Sequence, residues 1–173
     1  VRPLPVVQNW DCRGCAACCR SYAIPVTPDE KARIDGQGWA ADPDLTDAAL
    51  FAADGRGWKL NHRPDGACVF LGPDDRCRIH AKFGAAAKPL ACRIYPFLLV
   101  PAGDHWRLGL RFACPSAAAS DGRPLEAHLP EVREYAALLE ADNPTIQDHP
   151  PPPLRKGTVV RWDDILRITG MVA

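Results

Sequence analysis

Four cysteines stand within eight residues, Cys12, Cys15, Cys18 and Cys19, in the pattern CxxCxxCC. Nothing else in the chain limits its folding so sharply. Disulfides between such near neighbours would close loops of a few residues, which adds little stability and strains the bond. Thiolates that converge on a metal need this kind of spacing, because a tight turn or a first helical turn aims them at one point. On a helix, residues 12, 15 and 19 would share one face with residue 18 at its edge. The run therefore predicts metal binding rather than a disulfide framework.

Composition strengthens the need for a staple. The 173 residues include 18 prolines, 13 glycines and 26 alanines, so few large apolar side chains remain for a core. A loop-rich α+β domain of short strands and short helices, held by metal, is the expected fold class. Four further cysteines, Cys68, Cys77, Cys92 and Cys114, lie apart in sequence and can share a site only through folding. Eight thiolates suffice for two four-coordinate centres, either two zinc ions or an iron–sulfur cluster with a zinc. The run Cys12, Cys15, Cys18 and the single Cys-Pro step at Cys114-Pro115 suit an iron–sulfur cluster. Because Cys18 and Cys19 are adjacent, both can hardly bind one ion unstrained. Three of the front thiols are therefore expected to join Cys114 in a principal site, with the fourth joining Cys68, Cys77 and Cys92 or remaining spare.

Arginine gathers beside these thiols. Arg13, Arg20, Arg76, Arg78 and Arg93 are immediate neighbours of cysteines. A tetrathiolate zinc or an oxidised four-iron cluster carries a charge of about −2, which nearby guanidinium groups would offset while donating hydrogen bonds to sulfur. Arg13, Arg20, Arg78 and Arg93 are accordingly expected around the cofactor. His80 offers an alternative ligand, and Tyr95 an acid–base group or a packed ring. The five tryptophans read as anchors of small cores.

The ordered set CxxCxxCC, Gly66-Ala67-Cys68-Val69-Phe70-Leu71, Cys77-Arg78-Ile79-His80 and Lys88-Pro89-Leu90-Ala91-Cys92-Arg93-Ile94-Tyr95-Pro96-Phe97 resembles the YkgJ-type cysteine-cluster family over about residues 12–115. It is also similar to the cysteine-rich part of flagellin lysine N-methylases. The resemblance implies a zinc- or iron-chelating domain with cysteine ligands, without naming a reaction. Its alternative implication is an S-adenosylmethionine-dependent protein lysine N-methyltransferase. No Gly-rich strand–turn–helix for the methyl donor is visible, and GxGxxG, P-loop, GxSxG, HExxH and CxxxCxxC patterns are all missing.

Basic and acidic side chains balance at 21 each, which argues against a nucleic-acid partner. No window is apolar enough to span a bilayer and no signal-peptide core is seen, so a cytoplasmic protein without a membrane partner is expected. The cysteine-cluster domain should occupy residues 1–148, with a proline-rich linker and a strand–helix tail over 149–173. Along the chain, the expected elements begin with an extended lead-in over 1–11 and a strand over Tyr22–Val26. A helix starting at Thr27-Pro28-Asp29-Glu30 should stop at Gly36–Gly38, and a second is expected over 42–54. Trp58–Asn61 should pair with Ala67–Leu71 around a turn at 63–66. After a turn at 72–75, a helix is expected over Cys77–Phe83. A hairpin should join Pro96–Val100 to Trp106–Phe112 around Pro101–Asp104, followed by a helix over Leu125–Ala141. Past the prolines, a strand over Gly157–Trp162 precedes a helix capped by Asp163.

Overall fold

The computed structural model describes the chain except Leu4–Val6, Arg56, Asp104, Gln147, His149 and Ala173. Short helices and sheets of two or three strands make up a mixed α+β fold, as composition implies. The elements group into two compact units, residues 12–95 and residues 1–11 with 96–173.

In the unit 12–95, the helix Pro28–Asp35 begins as its sequence dictates. The Glu30 amide donates to Thr27 Oγ1 at 3.2 Å and the Thr27 amide donates to Glu30 Oε2 at 3.0 Å. Such a reciprocal cap satisfies two otherwise orphaned amides and contributes about 1 kcal/mol. Gly36 ends the helix. Strand Gly57–Leu60 is the centre of a three-stranded antiparallel sheet, with Pro25–Val26 on one edge and Phe51–Asp54 on the other. Val26, Ile34, Trp39, Leu45, Leu60, Val69, Phe70 and Ile79 form its core. The rings of Trp39 and Phe70 meet edge to face at 5.1 Å.

Two expectations fail in this unit. Residues 42–54 are not a helix. Asp42 Oδ1 accepts the Asp44 amide at 3.1 Å and the Asp42 carbonyl accepts the Thr46 hydroxyl at 3.0 Å, so local bonds turn the chain before Phe51–Asp54 enters the sheet. Cross-strand pairing there outweighs the helix propensity of alanine. Leu60 pairs with Phe51 rather than with the segment 67–71, which keeps only the bridge His62↔Cys68. The turn between them does form, closed by the Gly66 amide on the Arg63 carbonyl at 2.9 Å. The strand expected over Tyr22–Val26 shrinks to Pro25–Val26.

The other unit contains the expected hairpin, Phe97–Pro101 against Trp106–Leu110, with Phe97 opposite Leu110 and Pro101 opposite Trp106. Asp104, in its turn, lies outside the described residues. The lead-in is not merely extended: Arg2–Pro3 pairs parallel with Trp106–Leu110, and Asn9–Trp10 pairs antiparallel with Arg123–Pro124. A 3-10 turn at Leu125–His128 leads into the helix Leu129–Asp142, close to the expected span. Beneath it, Trp10, Phe97 and His128 pack with ring centroids 5.0–5.4 Å apart.

The segment Gly157–Trp162 is not a strand. Among the described residues no strand pairs with it, and Val159 is 96% exposed. An unpartnered strand has no ladder to hold it. The final helix begins at Trp162 and carries Asp163 inside its first turn instead of at its cap. Trp162 rests on Gly103, where a Cβ would stand 2.7 Å from the Trp162 Cγ. Residues 150–153 have no regular structure, as a proline run implies, while His149 lies outside the described residues.

Gly122 makes the pairing of Asn9–Trp10 with Arg123–Pro124 possible. Its φ is +125°, and a Cβ would lie 2.3 Å from the Asp11 amide nitrogen. Backbone strain and backbone overlap then act together, so Gly122→Ala should destabilise the protein by about 2–3 kcal/mol. A urea midpoint equal to that of the parent protein would contradict this.

Candidate metal centre

The front run is only partly helical. Gly14 and Ala16 both take left-handed backbone angles, φ +65° and +55°, and the helix spans Ala17–Ser21. Cys12 and Cys15 therefore sit in an exposed loop, while Cys18 and Cys19 occupy the helix and are half-buried. The helical grouping of residues 12, 15 and 19 does not form, because the two left-handed residues turn the chain before the helix starts.

The helix is held against the segment that carries Cys68. The Cys68 amide donates to the Cys19 carbonyl at 2.7 Å. Ala16, Ala67 and Leu71 pack into one buried cluster with Cys19 at its side. Arg20 donates to Asp75 at 2.7 Å, tying the helix to the turn that precedes Cys77. Leu71 bridges to Cys77, the residue before the helix Arg78–Phe83, and Cys92 lies within the helix Leu90–Ile94. Cys19, Cys77 and Cys92 all pack against the core cluster that contains Cys68.

These thiols sense one another. Cys18 Sγ lies 4.0 Å from Cys19 Sγ. A hydrogen bond from the Cys19 thiol, helped by the charge of Lys88, pulls the Cys18 thiol down to about 6. As donor in that bond, Cys19 is pushed far up, with burial and the nearby charges of Cys18, Cys68 and Cys77 acting in the same direction. Burial raises Cys68 to about 11, with Cys77 and Cys18 adding to the rise. Burial likewise raises Cys92 to about 12, with contributions from Cys68, Cys77 and Cys18 against a lowering by Lys88. Five thiols thus act on one another electrostatically. Among the described residues, no three His, Cys, Asp or Glu side chains yet close into a ligand set.

Cys114 is buried in the other unit, at the start of the short helix Pro115–Ala118. Arg78 lies between carboxylates, donating to Asp42 at 3.2 Å and to Asp44. Its Nε is buried with no hydrogen-bond partner among the described residues. Arg13 is exposed in the front loop, and Arg93 follows Cys92 on its helix. His80 is exposed, and the Tyr95 ring packs against Tyr22 at 4.8 Å. Sequence reasoning missed Lys88, the cation that lowers both Cys18 and Cys92. Its signal was available, since it stands four residues before Cys92.

The CxxCxxCC family model, described as a putative zinc- or iron-chelating domain, matches residues 11–115, more than half of the chain. No curated protein and no solved structure matches the chain. No described helix is long and apolar enough to cross a membrane.

The raised thiols set the pH response of the metal-free protein. A folded-state pKa above the unfolded value favours the protonated thiol in the native state. That stability is complete below the unfolded thiol value, about 8.5, and drains away as pH rises toward the folded values of Cys68 and Cys92. The urea midpoint of reduced, metal-free protein should therefore fall between about pH 8 and 9.5. A midpoint that holds or rises over this interval would contradict the assigned burial.

Proposed function

The chain belongs to the CxxCxxCC family, and on that premise we propose that it holds zinc or iron through the inner thiols Cys68, Cys77, Cys92 and one of Cys18 and Cys19. The supporting observation is the mutual electrostatic coupling of these groups in one buried region. An all-sulfur donor set, largely removed from water, fits a soft or borderline cation far better than a hard one. The orphaned Nε of Arg78, next in sequence to Cys77, fits as well: it is a buried donor with no acceptor, and sulfur bearing negative charge can accept from it.

A bound ion or cluster supplies the positive charge that offsets thiolate repulsion, and an iron–sulfur cluster adds one-electron chemistry. Iron–sulfur is the finer reading, carried by the CxxCxxC run and the number of thiols. Cys12, Cys15, Cys114 and the other of Cys18 and Cys19 complete the set of eight as further donors, with Arg13, Arg20 and Arg93, each next in sequence to a cysteine, tempering thiolate charge. In the chain itself, Lys88 stabilises thiolates at Cys18 and Cys92, while Ile34, Val69 and Phe70 exclude water from the sulfur side. Eight free cysteines suit a reducing compartment, the cytoplasm in this reading.

Anaerobic purification with metal and sulfide analysis tests this. Iron with acid-labile sulfide and broad visible absorbance is the expected result. Colourless protein with stoichiometric zinc would keep the chelating role and overturn the cluster, and protein without either metal would overturn both. Because binding energy here is folding energy, a chelator should lower the melting temperature by about 5–10 °C. Cys68→Ser should lose the inner metal, whereas Cys114→Ser should retain it.

A further inference from the structure

Helix Leu90–Ile94, which carries Cys92, starts without a cap of its own. The residue before it is Pro89, which has no side-chain acceptor for the first helical amides. The acceptor comes from another helix. Glu30 Oε1 accepts the Leu90 amide at 2.7 Å, while the same carboxylate's Oε2 accepts the Thr27 amide at 3.0 Å. One carboxylate therefore closes two helix N-termini at once. A charged acceptor makes each of these bonds stronger than a neutral pair.

The helix Pro28–Asp35 also grips Lys88, the residue before Pro89, with the opposite polarity. Arg33 donates to the Lys88 carbonyl at 3.4 Å, a longer and weaker contact. Between the two bonds Pro89 is fully buried, and its carbonyl accepts the Cys92 amide at 3.0 Å. Ile34, on the helix that supplies both clamps, is 0% exposed in the core against which Cys19, Cys77 and Cys92 pack. The segment Lys88-Pro89-Leu90 is thus fixed at its backbone on both sides, two residues ahead of a thiol.

We propose that Glu30 is a positioning residue of the thiol cluster: by capping the Cys92 helix from the helix Pro28–Asp35, it sets where Cys92 stands relative to Cys68 and Cys77. The inference rests on the reading of Cys92 as a metal ligand. Glu30 touches no metal itself, and its two jobs are separable. Thr27→Ala removes the hydroxyl that accepts the Glu30 amide and leaves the bond to Leu90 available. Glu30→Ala removes both carboxylate bonds, and Glu30→Gln keeps one acceptor oxygen where two are needed.

The experiment compares the full-length parent with these three variants through readouts that a general loss of stability would not reproduce. In the metal-free, reduced protein, the iodoacetamide alkylation rate of Cys92 is measured by mass spectrometry with Cys68 as internal reference, alongside hydrogen exchange of the Leu90 amide. Zinc affinity is measured by competition with a chromophoric chelator. Glu30→Ala should raise Cys92 alkylation relative to Cys68 by about tenfold, expose the Leu90 amide and weaken zinc binding by about 10–100-fold, the range for groups that orient ligands. Glu30→Gln should fall between, and Thr27→Ala, which leaves the bond to Leu90 in place, should stay within about twofold of the parent. Equal effects of Thr27→Ala and Glu30→Ala, or parental values in Glu30→Ala, would overturn the proposal. If Glu30→Ala does not fold, Glu30→Gln decides by the same criteria. Should the parent bind neither zinc nor iron, the metal reading fails, and the alkylation and exchange data still judge the clamp.

Discussion

The hydrogen bond from the Cys68 amide to the Cys19 carbonyl is the contact on which the cysteine unit turns. It joins the front helix to a segment of the core that no local propensity would bring there. Once that bond exists, Ala16 and Ala67 must be small, since they are packed with Leu71 in the seam beside it. Ala16 accepts a left-handed backbone at that point, which costs an L-residue roughly 1–2 kcal/mol, and its burial in the seam helps offset this. The same turn separates an exposed pair, Cys12 and Cys15, from a half-buried pair, Cys18 and Cys19.

Placing thiols at the margin of a small core has an electrostatic consequence. Ile34, Val69, Phe70 and Ile79 keep water from one side of the cluster, so charge on Cys68 and Cys92 is resisted by desolvation and by their neighbours, while Cys18 takes charge more readily. The cluster is consequently tolerable as neutral thiols or as thiolates around a cation, and poorly tolerable as free thiolates. Lys88 provides part of the needed positive charge, while Arg20 and Arg78 also bond to carboxylates, at Asp75 and Asp42.

The other unit solves a different problem, that of satisfying polar groups in an aromatic core. His128 is 2% exposed, and its ring nitrogens face the Glu131 carboxylate at 2.8 Å and the Trp10 carbonyl at 2.7 Å. Trp106 donates to Glu140 at 2.6 Å, joining the hairpin to the long helix. Arg123 grips Asp11 through two nitrogens and holds its carboxyl below the usual carboxylate range. Each bond of Trp10, Trp106 and Arg123 links stretches far apart in the chain, so the fold is specified by polar pairs as well as by its modest apolar area.

What could be read from sequence was whatever depends on neighbours in the chain. The capping box at Thr27 and Glu30, the hairpin of Phe97–Pro101 with Trp106–Leu110, the helix after Leu125 and the family itself rest on local spacing, and each is borne out. The α+β class followed from many chain-breakers and few large apolar residues. Tertiary structure decided which partner each segment took. Residues 42–54 became turns and a strand because Gly57–Leu60 offered an edge, and residues 157–161 take part in no strand pairing among the described residues. That both Cys18 and Cys19 gather with Cys68, Cys77 and Cys92, that the charge of Lys88 reaches Cys18 as well as its near neighbour Cys92, and that Glu30 makes a second bond were decided by tertiary contacts. They depend on contacts between residues far apart in the chain, 60 positions in the case of Glu30 and Leu90. Spacing along a chain carries information only over the few residues that one turn of helix or strand brings together.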